Sequence, residues 1–135
     1  MKFDKATIRV LVRNNYGLCY DFYTGKLGLV AVWGDRNGPY TAFSVAEGEP
    51  PCFAIFNGSN MSMFAGYEQP QGNAQPDTIT AVIPSEDLDK DYQRLKEAGV
   101  QFLNAPQLIE AWGMRCTYFR DPEGNLFELN DASGV

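Results

Sequence analysis

Among the charged side chains that stand inside largely apolar runs of this 135-residue chain, two are candidates for chemistry. Glu128 lies within Leu126-Phe127-Glu128-Leu129, and Arg9 within Thr7-Ile8-Arg9-Val10-Leu11-Val12. A carboxyl group drawn out of water has its pKa raised unless a cation answers it, and a raised carboxyl can act as a general acid or base. An arginine on a buried surface pairs with a carboxylate or with an anionic ligand. Glu128 is therefore either a candidate catalytic residue or a structural carboxylate hydrogen-bonded to Thr7, Thr78 or Arg9, and Arg9 is its partner, a ligand-binding cation or a solvated residue at the rim. The chain has no histidine, which removes the commonest general base and the commonest metal ligand. Cys19, Cys52 and Cys116 are widely spaced and form no C-x-x-C pattern, so reduced thiols in a cytoplasmic protein are the simplest reading. Cys116 lies in mid-strand with no histidine to activate it, and reads as a buried, inert thiol. Trp33, Tyr40, Phe43, Phe53, Trp112, Met114 and Tyr118 supply much aromatic and soft surface. Such surface with few polar groups suits flat, hydrophobic ligands.

The elements that must position these residues show a repeat. Residues 6–12 and 77–83 both read as β-branched strands. Laid together, Thr7 falls on Thr78, Ile8 on Ile79, Val10 on Ala81 and Val12 on Ile83, an offset of 71 (78 less 7). The same offset carries Gly28-Leu29 onto Gly99-Val100, Pro51 onto Pro122 and Phe56 onto Phe127. A fixed offset over this distance marks a diverged internal duplication. Each half then carries a helix. Tyr16, Tyr20, Tyr23 and Leu27 recur at helical spacing after Asn14-Asn15, and Leu88, Tyr92 and Leu95 do so after Ser85, the expected N-cap. Gly28 and Gly99 supply the stops. Three short strands follow in each half: 29–33, 40–45 and 53–57, then 107–111, 114–119 and 126–129.

Each half thus reads β-α-β-β-β, and the predicted class is α+β. The chain reads as one domain over residues 1–135, with module one at 4–65, a Gln/Pro/Gly/Asn-rich linker at 66–76 and module two at 77–131. One such module covers only one face of its sheet with its helix. Two modules paired edge to edge give a curved mixed sheet, with helices on the convex side and a concave cup as the natural ligand site. If Ile8, Val10 and Val12 pack under the helix, Thr7, Arg9 and Leu11 face the cup. Bulk properties agree with a small globular protein: 44% of residues are apolar and 21% charged. A net charge of −6 repels phosphate backbones and anionic lipid, so neither nucleic acid nor a membrane is an expected partner.

Two passages carry a family resemblance. Phe22-Tyr23 followed by Leu27-Gly28-Leu29, and Asp121-Pro122-Glu123-Gly124-Asn125-Leu126-Phe127-Glu128-Leu129, resemble the helix end and the closing hairpin of the glyoxalase/bleomycin-resistance/extradiol-dioxygenase (vicinal oxygen chelate) superfamily. With the repeat, the resemblance covers nearly the whole chain. It implies a cup of paired βαβββ modules, and in metal-dependent members one ligand on the first and one on the fourth strand of each module, usually His, Gln or Glu. Carried over, those positions are Thr7, Asn57, Thr78 and Glu128, expected to converge in the cup, with Asn57 placed by the offset from Glu128. Two threonines, one amide and one carboxylate do not build a zinc, nickel or iron(II) site. A hard divalent ion at Glu128 and Asn57 would be weakly held, so no metal or other cofactor is expected. The resemblance also implies that Trp112, beside Gly113 at a hairpin turn, lines the cup, that a small molecule is bound there, and that the protein is a homodimer. The expected ligand-binding set is Thr7, Arg9, Trp33, Asn57, Thr78, Trp112, Met114 and Glu128. Two functions compete: sequestration of a small aromatic or amphipathic molecule, and a lyase, isomerase or dioxygenase-like activity using Glu128, with or without a weakly bound ion.

Overall fold

The structure, a computed structural model, describes residues 1–72 and 74–131. Its eight strands are β1 (Thr7–Val12), β2 (Val30–Trp33), β3 (Tyr40–Ser44), β4 (Phe53–Asn57), β5 (Ile79–Pro84), β6 (Gln107–Ile109), β7 (Met114–Arg120) and β8 (Leu126–Asp131). They form one mixed sheet in the order β2-β3-β4-β1-β5-β8-β7-β6. The two β-α-β-β-β halves meet where β1 pairs antiparallel with β5, while β1 runs parallel to β4, and β5 to β8. The α+β cup of paired modules is therefore the fold observed.

The helices differ in how they are held. Helix α1 (Tyr16–Asp21) continues into a wider turn at Phe22–Lys26, and Asn15 occupies its N-cap position without a capping bond. Packing holds it instead: Tyr16, Tyr20 and Tyr23 lie against Val12, Phe43 and Ile55. Helix α2 (Leu88–Glu97) begins at Asp87, whose side chain accepts the Lys90 N–H. The cap is thus Asp87 and not Ser85, because Ser85 donates its hydroxyl to Asp91 instead. Leu88 and Leu95 pack against Ile83 and Leu129 on the same side of the sheet.

The opposite side is the cup, and it is partly filled. After β4 the chain makes a turn of 3-10 helix at Gly58–Met63 and folds back into the hollow. Met61, Phe64 and Tyr67 pack there on Leu11, Phe56, Tyr118 and Leu126. Beyond Tyr67 the connection returns to β5 through Asp77, whose carboxylate takes 2.8 and 2.9 Å hydrogen bonds from Arg120 and a 2.6 Å bond from the Tyr67 hydroxyl.

Candidate functional site

The register of the four central strands brings Arg9 to Glu128. Arg9 stands opposite Thr80 on β5, and Val82, two residues on, stands opposite Glu128 on β8. Side chains at alternate positions share a face, so Arg9, Leu11, Thr80, Val82, Leu126, Glu128 and Asn130 all point into the cup. The guanidinium crosses β5 and meets the carboxylate: Arg9 Nη1 donates to Glu128 Oε1 at 2.7 Å and Nη2 to Oε2 at 3.5 Å. The Tyr118 hydroxyl also donates to Oε1, and Asn130 Nδ2 donates to Oε2 at 2.7 Å. Tyr118 is placed by β7, where it stands directly opposite Glu128. Arg9 is 4% exposed and Glu128 wholly buried.

Burial by itself would push the Glu128 carboxyl up; the Arg9 charge and the bonds from Arg9, Tyr118 and Asn130 outweigh it and hold the group below its ordinary value. Burial likewise works against the Arg9 charge, yet the Glu128 carboxylate raises the guanidinium well above its ordinary value. The pair is ionised on both sides. Burial and the neighbouring Glu128 charge push the Tyr118 phenol well up, so it stays a donor. With both oxygens of Glu128 accepting two hydrogen bonds, the carboxylate has no idle lone pair for a substrate proton. The Cys116 thiol is raised by burial and then by Glu128, which makes it inert.

Above this pair lies a cavity of about 200 Å³, lined by Arg9, Trp33, Tyr40, Ala111, Trp112, Met114 and Glu128. Local irregularities aim its walls. The β2–β3 register shifts between Ala31 and Trp33, so that Ala31 faces Phe43 while Trp33 faces Ala42. Regular alternation would put Ala31 and Trp33 on one face; the bulge turns Trp33 to the cup. Strand β6 gives way to a 3-10 turn at Glu110–Trp112, closed by Gly113 at a φ of 62°, a conformation glycine adopts without strain. That turn lays the Trp112 ring against Tyr40, Phe56 and Phe64, with centroids 5.6–5.8 Å apart. Arg9 Cζ lies 5.4 Å from the Tyr40 ring centroid, 5.6 Å from that of Trp112 and 5.9 Å from that of Phe56, within cation–π range.

Of the eight residues expected from sequence, Arg9, Trp33, Trp112, Met114 and Glu128 line this one cavity. The expected convergence of Thr7, Asn57, Thr78 and Glu128 needs correcting. Thr7 is on the cup face, opposite Val82, but outside the cavity lining. Thr78 is exposed at the foot of β5, in a separate groove with Asp77 and Arg120. Asn57 pairs with Val12, which packs under α1, and its side chain accepts from Ser59. The cause is a slip in the repeat. Leu11 and Val82 differ by 71 and stand opposite Phe56 and Glu128, which differ by 72. The counterpart of Glu128 is therefore Phe56, and a one-residue slip moves Asn57 to the other face. A transition ion does not fit: Glu128 is saturated, and no group of three or more His, Cys, Asp or Glu among the described residues could hold a metal. A weak ion bridging Glu128 and Asn57 is ruled out by their opposite faces. Ala111 and Asn130 have no place in the sequence reading, and Tyr40 and Tyr118, named there only among the aromatic residues, were not assigned to the cup. Alternation from Glu128 and Leu126 could have found Asn130; Tyr118 needed the β7–β8 register.

This fold and site define a paired-βαβββ cup in which an arginine–glutamate pair lies at the floor. The family model for the glyoxalase/bleomycin resistance protein/dioxygenase superfamily matches residues 6–129, and the chain belongs to that superfamily. It is 32% identical over 124 residues to the uncharacterized protein YraH of Bacillus subtilis (strain 168), covering 90% of this chain and 93% of that one. Among solved structures it resembles a superfamily member from Vibrio splendidus, with a TM-score of 0.63, 12% identity and 93% and 96% of the two chains covered. It also resembles methylmalonyl-CoA epimerase of Streptomyces coelicolor in complex with 2-nitronate-propionyl-CoA, with a TM-score of 0.62, 14% identity and 96% and 94% covered. At these identities the structures establish a shared fold.

Proposed function

We propose that the protein is a binding member of its superfamily, one that holds a small aromatic or amphipathic molecule in the cup without a metal ion. One observation carries this reading: Trp33, Tyr40, Trp112 and Met114 converge over a buried ion pair whose carboxylate already accepts four hydrogen bonds. Such a floor offers shape and ring surface to a ligand, not a reactive group. A volume of about 200 Å³ is below the usual range for drug-sized ligands and suits a molecule of one or two rings.

The test is a thermal-shift screen of one- and two-ring aromatic compounds against the purified protein, with and without a chelator, beside elemental analysis. Stabilisation by aromatic compounds that survives chelation is expected. A stoichiometric, tightly held transition metal, or no stabilisation by any aromatic class, would overturn the proposal.

A homodimer belongs to the same reading. The outer strands β2 and β6 leave Val32, Trp33 and Leu108 between 40% and 56% exposed, which is apolar surface a second copy would cover. Sedimentation showing only monomer at micromolar concentration would refute it. Three free cysteines, Cys52 exposed among them, favour a reducing, cytoplasmic setting. No helix among the described residues is long and apolar enough to cross a membrane.

A further inference from the structure

We infer that the cavity selects uncharged, electron-rich arenes and rejects arenes of the same size that carry a positive charge. The inference rests on the aromatic-binding reading above and adds the ligand's charge class to it.

The ion pair is oriented. Both members reach the cavity lining, but Glu128 has no exposed surface, and its other partners, Tyr118 and Asn130, are buried residues outside that lining. Arg9 is the member beneath the rings: its Cζ is within 5.4–5.6 Å of the centroids of Tyr40 and Trp112, both of which line the cavity. The floor therefore presents the positive end of a buried dipole, spread across the inner faces of two rings. A ring already engaged by a cation has less attraction left for a second one on its opposite face. A cationic arene stacked on Tyr40 or Trp112 would also feel Arg9 through a water-poor path, where charges are weakly screened. Nor does the site offer it a counter-charge, since Glu128 accepts four hydrogen bonds from Arg9, Tyr118 and Asn130. An electron-rich ring without charge meets the opposite situation, because its π cloud is drawn to the positive end.

The molecule's overall charge predicts the reverse preference. With a net charge of −6, the protein's long-range field attracts cations. At about 0.15 M ionic strength that field is screened within about 8 Å, which leaves the local dipole to decide. Glu110, next to the cavity-lining Ala111, is exposed, so water and salt weaken its field as well.

Titration calorimetry with naphthol and with naphthylmethylammonium, at about 0.15 M salt, reads the preference. Naphthol is expected to bind at least about tenfold tighter. Equal binding, or tighter binding of the ammonium compound, overturns this inference and leaves the aromatic cup standing. If neither probe binds, the proposed function fails and this inference with it. The double variant Arg9→Met/Glu128→Leu removes both charges and keeps the apolar volume. It should weaken naphthol, whose ring loses the positive end beneath it, and bring the two probes to within about twofold of each other; discrimination that persists in the folded double variant would show that the dipole is not its source.

Discussion

The two halves of the molecule share one topology and have divided the site between them. Module one supplies the cation and most of the rings: Arg9, Trp33, Tyr40 and Phe56. Module two supplies the anion and the groups that serve it: Glu128, Tyr118 and Asn130. The seam shows why they had to differ. Arg9 and Thr80 are counterparts in the repeat and also face one another across β1 and β5, so the axis relating the halves runs between them. Two arginines there would sit in like-charge contact, which a buried cross-strand pair does not tolerate. Once Arg9 is charged, Thr80 must not be. The same holds at Phe56 and Glu128, where two carboxylates would compete for one guanidinium. Duplication creates a symmetric cup, and burying a charge in it breaks the symmetry.

If the halves are welded by this division, breaking it on one side should cost most. Arg9→Met or Glu128→Leu alone leaves an unanswered buried charge and should destabilise by about 3–5 kcal/mol. The double variant should recover much of that loss, because an apolar replacement of both partners is often near neutral. Urea unfolding of the four proteins gives the cycle. Additive single effects would mean that the halves do not depend on each other here. The pair also sets an acid limit. Glu128 is held below its ordinary value of 4.5, so its contribution is present above the unfolded carboxyl's pKa and lost as pH falls through the lower folded one. Stability measured from pH 6 down to pH 2 should show a steeper acid limb in the native protein than in the double variant; superimposed limbs would place the acid sensitivity elsewhere.

Next in size is the segment with which module one fills the hollow. Phe64, 1% exposed, packs on Phe56, Trp112 and Tyr118 with ring centroids 4.7–6.5 Å away. Phe64→Ala should cost about 3 kcal/mol and leave a void beside the cavity. It should also shift preference toward larger aromatic ligands, since Trp112 loses one of its supports. An unchanged ligand series with a destabilised fold would show that the plug supports the core alone.

How far the sequence disclosed this division depends on where periodicity governs. Alternation put Arg9 and Leu11 on the cup face and Val12 beneath α1, because β1 is a regular six-residue strand. The repeat disclosed two β-α-β-β-β halves, but that they meet at β1 and β5 comes from the strand pairing. The repeat failed at the fourth strands, where the offset moves from 71 to 72 and a gapless overlay cannot detect a single inserted residue. Trp33 reaches the cup through a bulge, which follows from strand pairing and not from local pattern. That Met61 and Phe64 fold back into the hollow depends on tertiary contacts with Leu11 and Tyr118, which no local pattern discloses.

The smallest test compares how the helices begin. Asp87 caps α2 by accepting the Lys90 N–H at 3.1 Å, whereas Asn15 makes no capping bond at α1. Asp87→Ala should therefore lower stability by about 1 kcal/mol, the usual value of an N-cap. Asn15→Ala removes no such bond and should fall within about 0.5 kcal/mol of the native protein. Module one's helix relies instead on Tyr16, Tyr20 and Tyr23 pressed against Phe43 and Ile55. If Asn15→Ala proved as costly as Asp87→Ala, α1 would need a cap after all, and the contrast between a packed helix and a capped one would fall.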